Sequence, residues 1–366
     1  MAGSEADKPQ LRIGGIPVSV PPSGILGIAL LAYFWAPAFD VASVSPWLLA
    51  VCFAILLTLA TLLHELAHAF AARRLGYPVR GVVLQTLGGV THFERRRESA
   101  LSEAAIAAAG PLATFAVAGA SLLVDRALAP GTIGSALASA MLWANVVIGV
   151  YNSLPGLPLD GGVVLRCLVW AATGSERTGT TVAGWTGRAL AVLTLVSPML
   201  IAGYTGEPPD LLLYVVAGLL GAMLWSGATA QMRAVDLRDR SAGLTAAGLA
   251  RRAIPVDRDL PLAEALRRAG AAGAGALVIV DHSGAPTGIG HHDAIEAVPP
   301  QRRPWITVGS VARPVDEGSV LSSDLAGPQL IAEVAKRGRD ELLVIDPGGL
   351  VYGVLLVADI EAALRG

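Results

Sequence analysis

Six stretches of the chain, 24–39, 46–72, 101–124, 133–151, 183–203 and 210–230, are apolar for long enough to approach the roughly 20 residues that a helix needs to cross a bilayer core. The first is short, so its ends are the least defined. A further apolar run at 159–171 follows a proline-broken loop and reads as a continuation of the fourth stretch. Between the second and third, 79-VRGVVLQTLGGVTHF-93 carries two β-branched runs around Gly88 and Gly89, the pattern of a hairpin with a turn or bulge at the glycines. Beyond Arg233 the pattern changes. Residues 233–252 are rich in charge and read as a linker, and the remainder alternates helix-like and strand-like segments.

The expected architecture is therefore a polytopic α-helical membrane domain of about six spans with a membrane-associated β-hairpin, followed by an α/β module. Its expected bounds are an N-terminal segment at 1–23, the membrane domain at 24–232, a linker at 233–252 and the module at 253–366. The module contains an internal repeat. Each half has a helix pattern, a β-rich run (Leu277–Val280 and Leu342–Ile345), a turn (Asp281 to Gly284 and Asp346 to Gly349), a second strand and a closing helix.

Composition agrees with membrane residence. Of 366 residues 53% are hydrophobic and only 15% charged, with a mean hydropathy of +0.58; soluble domains carry nearer a quarter charged residues. A net charge of −2 gives no reason to expect a nucleic-acid partner. Loop charges orient the spans. Arg73, Arg74, Arg80, Arg95 to Arg97, Arg166, Arg177, Arg188, Arg233, Arg238 and Arg240 all fall on one side when six spans are counted, as do Lys8 and Arg12. Both termini are then cytosolic in a plasma-membrane protein. The N-terminal lead-in, with Pro17, Pro21 and Pro22, reads as preceding a retained span rather than as a cleaved leader. Cys52 and Cys167 lie in separate apolar segments and read as small core residues.

One of the apolar stretches carries chemistry. The run 58-TLATLLHELAHAFAARRLG-76 holds His64, Glu65 and His68 as H-E-x-x-H. Ionisable groups in a span are expensive and mark function. On a helix, histidines four residues apart share a face and can reach one metal ion, with Glu65 beside them to take a proton from water. Catalytic zinc wants three protein ligands and an open position. Asp160 is the carboxylate best placed to be the third. It follows Pro155 and Pro158 at the start of a resumed helix, where the helix dipole favours a negative charge. His68 lies five residues before Arg73, which puts the metal about 8 Å beneath the cytosolic boundary.

H-E-x-x-H in the second span, with N-x-x-P-x-x-P-L-D-G-G from Asn152 to Gly162 in the fourth, resembles the site-2 protease family of intramembrane zinc metalloproteases. The C-terminal repeat resembles a tandem CBS pair, and together they look most like the subgroup that includes the sporulation sigma-factor processing protease. The resemblance implies one Zn²⁺ on His64, His68 and Asp160, Glu65 as general base, and Asn152 as a group that positions the scissile carbonyl or its oxyanion. It also implies a membrane-anchored substrate, such as an anti-sigma factor or sigma-factor precursor, cut in its transmembrane segment near the cytosolic face. A bacterial source, regulation by the CBS pair and a homodimer through it are further expectations. The hairpin strand around Gly88 and Gly89 could hold an unwound substrate by β-addition. In the CBS pair Asp359 matches the family's ribose-binding aspartate, which implies an adenine nucleotide. The hydroxyl usually three residues before it is Leu356, and the first half has His291 at that position. A different class of reading is a CBS-gated transporter or channel, with His64, Glu65 and His68 lining its path.

Overall fold

The computed structural model describes residues 11–41, 44–85, 88–93 and 99–365. The chain divides into two compact units, Met1–Arg233 and Ala234–Gly366.

In the first unit, β1 (Leu11–Ile13) and β2 (Ile16–Ser19) turn over Gly14 and Gly15, whose φ values of +58° and +82° suit a two-residue hairpin turn. There follow α1 (Pro22–Trp35, continued by a 3₁₀ turn to Ala38), α2 (Pro46–Arg74), β3 (Val79–Gln85), β4 (Gly88–Phe93), α3 (Ala100–Ala127), α4 (Ile133–Ser153), α5 (Asp160–Thr173), α6 (Glu176–Thr205) and α7 (Leu211–Ser241). Among the described residues α2, α3, α4, α6 and α7 are long and apolar enough to cross a membrane, and α1 is a shorter apolar helix. Each expected span is thus a helix, while the run at 159–171 is a helix of its own, α5.

Large apolar side chains face outward. Leu112, Leu123, Trp143, Val147 and Met199 are each more than 60% exposed, whereas Ala50, Ala54, Ala69, Ala72, Ala183 and Ala228 are fully buried. Lipid removes the drive to bury leucine, so contacts between helices go to small residues that let backbones approach. Gly187 shows the same logic: an added Cβ would lie 1.9 Å from the carbonyl oxygen of Leu157, in the turn between α4 and α5.

The hairpin expected between the second and third spans is β3–β4, but it belongs to a larger sheet. The strand order is β1-β2-β3-β4, with β2 parallel to β3 and the other pairs antiparallel. The N-terminal segment, read from sequence as a lead-in, supplies two of its strands. Gly88 and Gly89 correct the sequence reading: they are strand residues, paired with Gln85 and Leu84. The connection falls on 86–87, outside the described residues, and the register irregularity lies between Val79 and Gly81.

The second unit contains α8 (Ala246–Leu249), β5 (Arg251–Val256), α9 (Leu262–Ala271), β6 (Ala276–Val280), β7 (Pro286–Gly290), α10 (His292–Glu296), β8 (Ala312–Pro314), β9 (Val320–Ser322), α11 (Gly327–Arg337), β10 (Glu341–Ile345), β11 (Val351–Leu356) and α12 (Val357–Arg365). The stretch 233–252, expected as a linker, is helix through Ser241, then α8 and the first residues of β5. The repeat is explicit in the pairing. β5 runs parallel to β6 and β6 antiparallel to β7; β9 runs parallel to β10 and β10 antiparallel to β11. Both hairpin turns start with an aspartate whose Oδ1 accepts backbone N–H groups (Ser283 and Ala285; Leu350) and contain a glycine at φ +85° or +82°. The halves join through β5 and β11 in one seven-stranded sheet. This is the α/β repeat pair that the sequence implied.

Candidate metal centre

α2 carries His64, Glu65 and His68, all less than 10% exposed. Asp160 is the first residue of α5, after the proline-broken turn, with its carboxylate at the positive end of that helix. His64 Nε2 lies 3.2 Å and His68 Nε2 3.5 Å from Asp160 Oδ2, and the two Nε2 atoms are 3.1 Å apart. Tetrahedral ligands about 2.05 Å from a zinc ion would be separated by about 3.3 Å. Among the described residues this is the one group of three or more His, Cys, Asp or Glu side chains with ligand atoms so close together.

The outer nitrogens fix the tautomers. His68 Nδ1–H donates to the carbonyl of Ile106 at 2.7 Å. His64 Nδ1 is 2.9 Å from Thr114 Oγ1, whose own hydroxyl is directed to the Gly110 carbonyl at 3.3 Å, so the imidazole is the donor. Both Nε2 atoms therefore present lone pairs to each other and to a carboxylate oxygen. Three acceptors this close repel unless a cation sits among them, and metal-ligating histidines commonly give their second N–H to such partners. The residues fit zinc.

α3 supplies all of these outer contacts and also the space. A Cβ on Gly110 would fall 2.2 Å from His68 Nε2 and 2.6 Å from His64 Nε2. The sheet closes the opposite side. Thr91 on β4 donates its hydroxyl to Glu65 Oε2 at 2.6 Å, and a Cβ on Gly89 would lie 2.3 Å from Glu65 Cγ. Gly89 is thus required where the strand crosses the glutamate, not at a turn. A cavity of about 370 Å³ reaches Asp160 between α3 and α5, lined by Pro111, Leu112, Phe115, Val164 and Leu168, with Ser153 at its edge.

Asn152 lies half-buried in the last turn of α4, eight residues before Asp160. His92 is exposed on β4 and, among the described residues, belongs to no ligand group. Cys52 and Cys167 are not joined in a disulfide. In the second unit, Asp359 accepts two 2.8 Å hydrogen bonds from Arg251, and His291 is held between Glu341 at 3.0 Å and Arg313 at 2.6 Å. The positions that the resemblance assigns to a nucleotide are engaged by the protein's own side chains. Sequence reasoning missed Thr91, Gly110, Thr114 and the Ile106 carbonyl. The Gly110–Pro111 pair inside an apolar span was the one available signal, because a helix-weakening pair there needs a packing or functional reason.

Residues 52–139 match the family described as Peptidase family M50. The chain is similar to sll0528 of Synechocystis sp., named as a candidate zinc metalloprotease, at 25% identity over 375 residues, covering 97% of this chain and 95% of the relative. Rip3 of Mycobacterium tuberculosis, a candidate zinc metalloprotease by name, is 26% identical over 369 residues, covering 95% of this chain and 90% of its own. Among solved structures, the site-2 protease of Methanocaldococcus jannaschii aligns with a TM-score of 0.43 and 23% identity, over 61% of this chain and 94% of that one. The family match contains the H-E-x-x-H motif, and two relatives named for zinc metalloprotease activity align over nearly the whole chain: the chain carries a peptidase family M50 region at residues 52–139 and is similar along nearly its whole length to zinc metalloproteases.

Proposed function

We propose that His64, His68 and Asp160 hold one zinc ion, that Glu65 is the general base, and that the enzyme cleaves a membrane-anchored protein within its transmembrane segment near the cytosolic face. The observation that carries this is the convergence of two imidazole lone pairs and one carboxylate oxygen within 3.1–3.5 Å, with both histidine tautomers fixed from behind by α3. Zinc held there supplies Lewis acidity, which makes a water acidic near neutral pH and polarises the scissile carbonyl. Glu65 accepts the water's proton at its carboxylate and returns it to the leaving nitrogen. The Thr91 hydroxyl fixes the orientation of that carboxylate. Asn152 is assigned to the substrate carbonyl on the family resemblance.

A helical substrate hides its scissile amide in its own hydrogen bonds and must unwind. β4 is the last strand in the sheet order and lies against Glu65. Its outer edge suits an extended chain added beside the base, with Gly88 and Gly89 at the point of closest approach. The apolar cavity beside Asp160 suits a large side chain next to the cut. Six crossings with both termini cytosolic, an anti-sigma factor or sigma-factor precursor as substrate, and CBS regulation and dimerisation complete the reading. A nucleotide at Asp359 would have to replace the two hydrogen bonds from Arg251.

The test uses purified full-length enzyme in proteoliposomes with a single-span reporter substrate. Glu65→Gln should keep about one zinc per chain and lose cleavage by roughly three orders of magnitude or more. Asp160→Ala should lose both zinc and cleavage. Parent-like cleavage by Glu65→Gln would sink the assignment of the base, and undiminished zinc in Asp160→Ala would sink the site.

A further inference from the structure

Arg166 heads the fully buried side chains by size and is 2% exposed. It lies on α5, six residues after Asp160, although its charge alone had suggested a cytosolic loop. Its Nη2 donates to Glu103 Oε2 on α3, and its Nη1 to Glu176 Oε1 at the start of α6, at 3.2 Å. Glu103 is 5% exposed. Burying a cation with two carboxylates costs desolvation that aliphatic packing would avoid. No step of the proposed chemistry uses the three.

Their placement gives them a task. α5 begins with Asp160 but packs mainly on α3 and α6, whereas the histidines belong to α2. The distance from the carboxylate to the imidazoles is therefore set through α3. That helix also holds Ile106 and Thr114, which orient both histidines, and Ile106 lies one turn beyond Glu103. The Glu103–Arg166 contact ties the helix that aims the histidines to the helix that delivers the third ligand, and Glu176 anchors the same guanidinium to α6. A planar fork can bridge two carboxylates in fixed directions; an ammonium cannot.

We propose that Arg166 is a positioning residue of the metal centre: by clamping α5 to α3 through Glu103 and to α6 through Glu176, it holds the Asp160 carboxylate at zinc-binding distance from His64 and His68. The inference rests on the ligand assignment above.

Three variants of the full chain in detergent test it: Arg166→Lys, the neutral triple variant Arg166→Met/Glu103→Gln/Glu176→Gln, and Asp160→Ala as the control for the site itself. The readouts are zinc affinity by competition with a chelator, the visible absorption of the cobalt(II)-loaded protein, and the melting temperature of the metal-free protein. The triple variant removes the guanidinium and both of its carboxylates together, so its metal-free fold should melt within a few degrees of the parent. Its zinc binding should weaken at least tenfold and its cobalt band lose intensity, with Arg166→Lys intermediate. Parent-like zinc affinity and cobalt spectrum in the triple variant would overturn the proposal and leave Arg166 a structural clamp only. Should the triple variant not fold, Arg166→Lys decides by the same two metal readouts. Retained zinc in Asp160→Ala would instead show that the ligand assignment fails, and the inference with it.

Discussion

An added methyl group at Gly110 would sit closer to both Nε2 atoms of the proposed ligands than any carbon can, at 2.2 Å from His68 Nε2 and 2.6 Å from His64 Nε2. Interiors this tightly packed do not absorb such overlap without moving something. The imidazoles would have to swing by about an ångström, a displacement that can reduce catalysis about a hundredfold. Gly110→Ala should therefore bind zinc ten- to a hundredfold more weakly and cleave substrate about a hundred times more slowly, measured by elemental analysis and a turnover assay. Parent-like values for both would mean that α3 does not confine the site. The same residue marks what the sequence could and could not disclose. His64, Glu65 and His68 were legible because charged groups inside an apolar run demand a reason, and Asp160 because it follows a helix break on the same side. Thr114 and the Ile106 carbonyl were not, because a common hydroxyl and a backbone oxygen leave no distinctive mark, and the Gly110–Pro111 pair marks a helix position that needs a reason without saying what it faces. Only the fold brings them to the ring nitrogens.

Helices were easier to read than strands. Each long apolar run became a helix because length and composition suffice, but β1 and β2 are only three and four residues long, too short to show a period even though β2 buries Ile16 and Val18. Their one signal was Ile13-Gly14-Gly15-Ile16, a turn pair between apolar residues. Gly88 and Gly89 were found but misplaced, since glycine that accommodates a close backbone approach looks the same in sequence as glycine in a turn. In the second unit the helices carry local charge patterns whose effect depends on pH. On α9 the exposed Glu264 carboxylate is held down to about 2, first by the Arg267 guanidinium and then by that of Arg268, at 2.7–2.8 Å. Its folded value is depressed, so its support for the helix is complete above the ordinary carboxylate value of 4.5 and is lost as pH falls toward about 2. At about pH 7, Glu264→Gln should speed amide hydrogen exchange along α9 relative to the parent, and at about pH 2 the two proteins should exchange alike. An equal difference at both pH values would exclude the ion pairs as its cause. The effect should be small, because exposed pairs are screened by solvent and salt.

At the scale of the whole membrane unit, the open question is how many times the chain crosses. α1 is 14 residues long, and even with its 3₁₀ extension to Ala38 it covers only about 25 Å of a core near 30 Å. Length alone would allow five crossings, with the N-terminus outside. The sheet argues against that. β2 leads directly into α1, and β3 follows the end of α2; Val18 pairs with Val82 and Ser19 with Val83. The start of α1 and the end of α2 are therefore on the same side, so α1 and α2 run out and back as a pair. α3 with α4, and α6 with α7, repeat the excursion. The loop charges are the ground for the proposal that the shared side is cytosolic, and a short first span can be accommodated by local thinning of the bilayer. In a background with Cys52 and Cys167 replaced by alanine, single cysteines at Ser19 and at Glu207 should respond oppositely to a membrane-impermeant maleimide. Glu207→Cys, in the loop between α6 and α7, should label in intact cells. Ser19→Cys should label only after the membrane is permeabilised. Labelling of Ser19→Cys in intact cells would mean that the sheet stands on the outer face. The metal centre, joined to that sheet through Thr91 and Glu65, would then open away from the cytosol, and the proposed cleavage near the cytosolic face would fail with it.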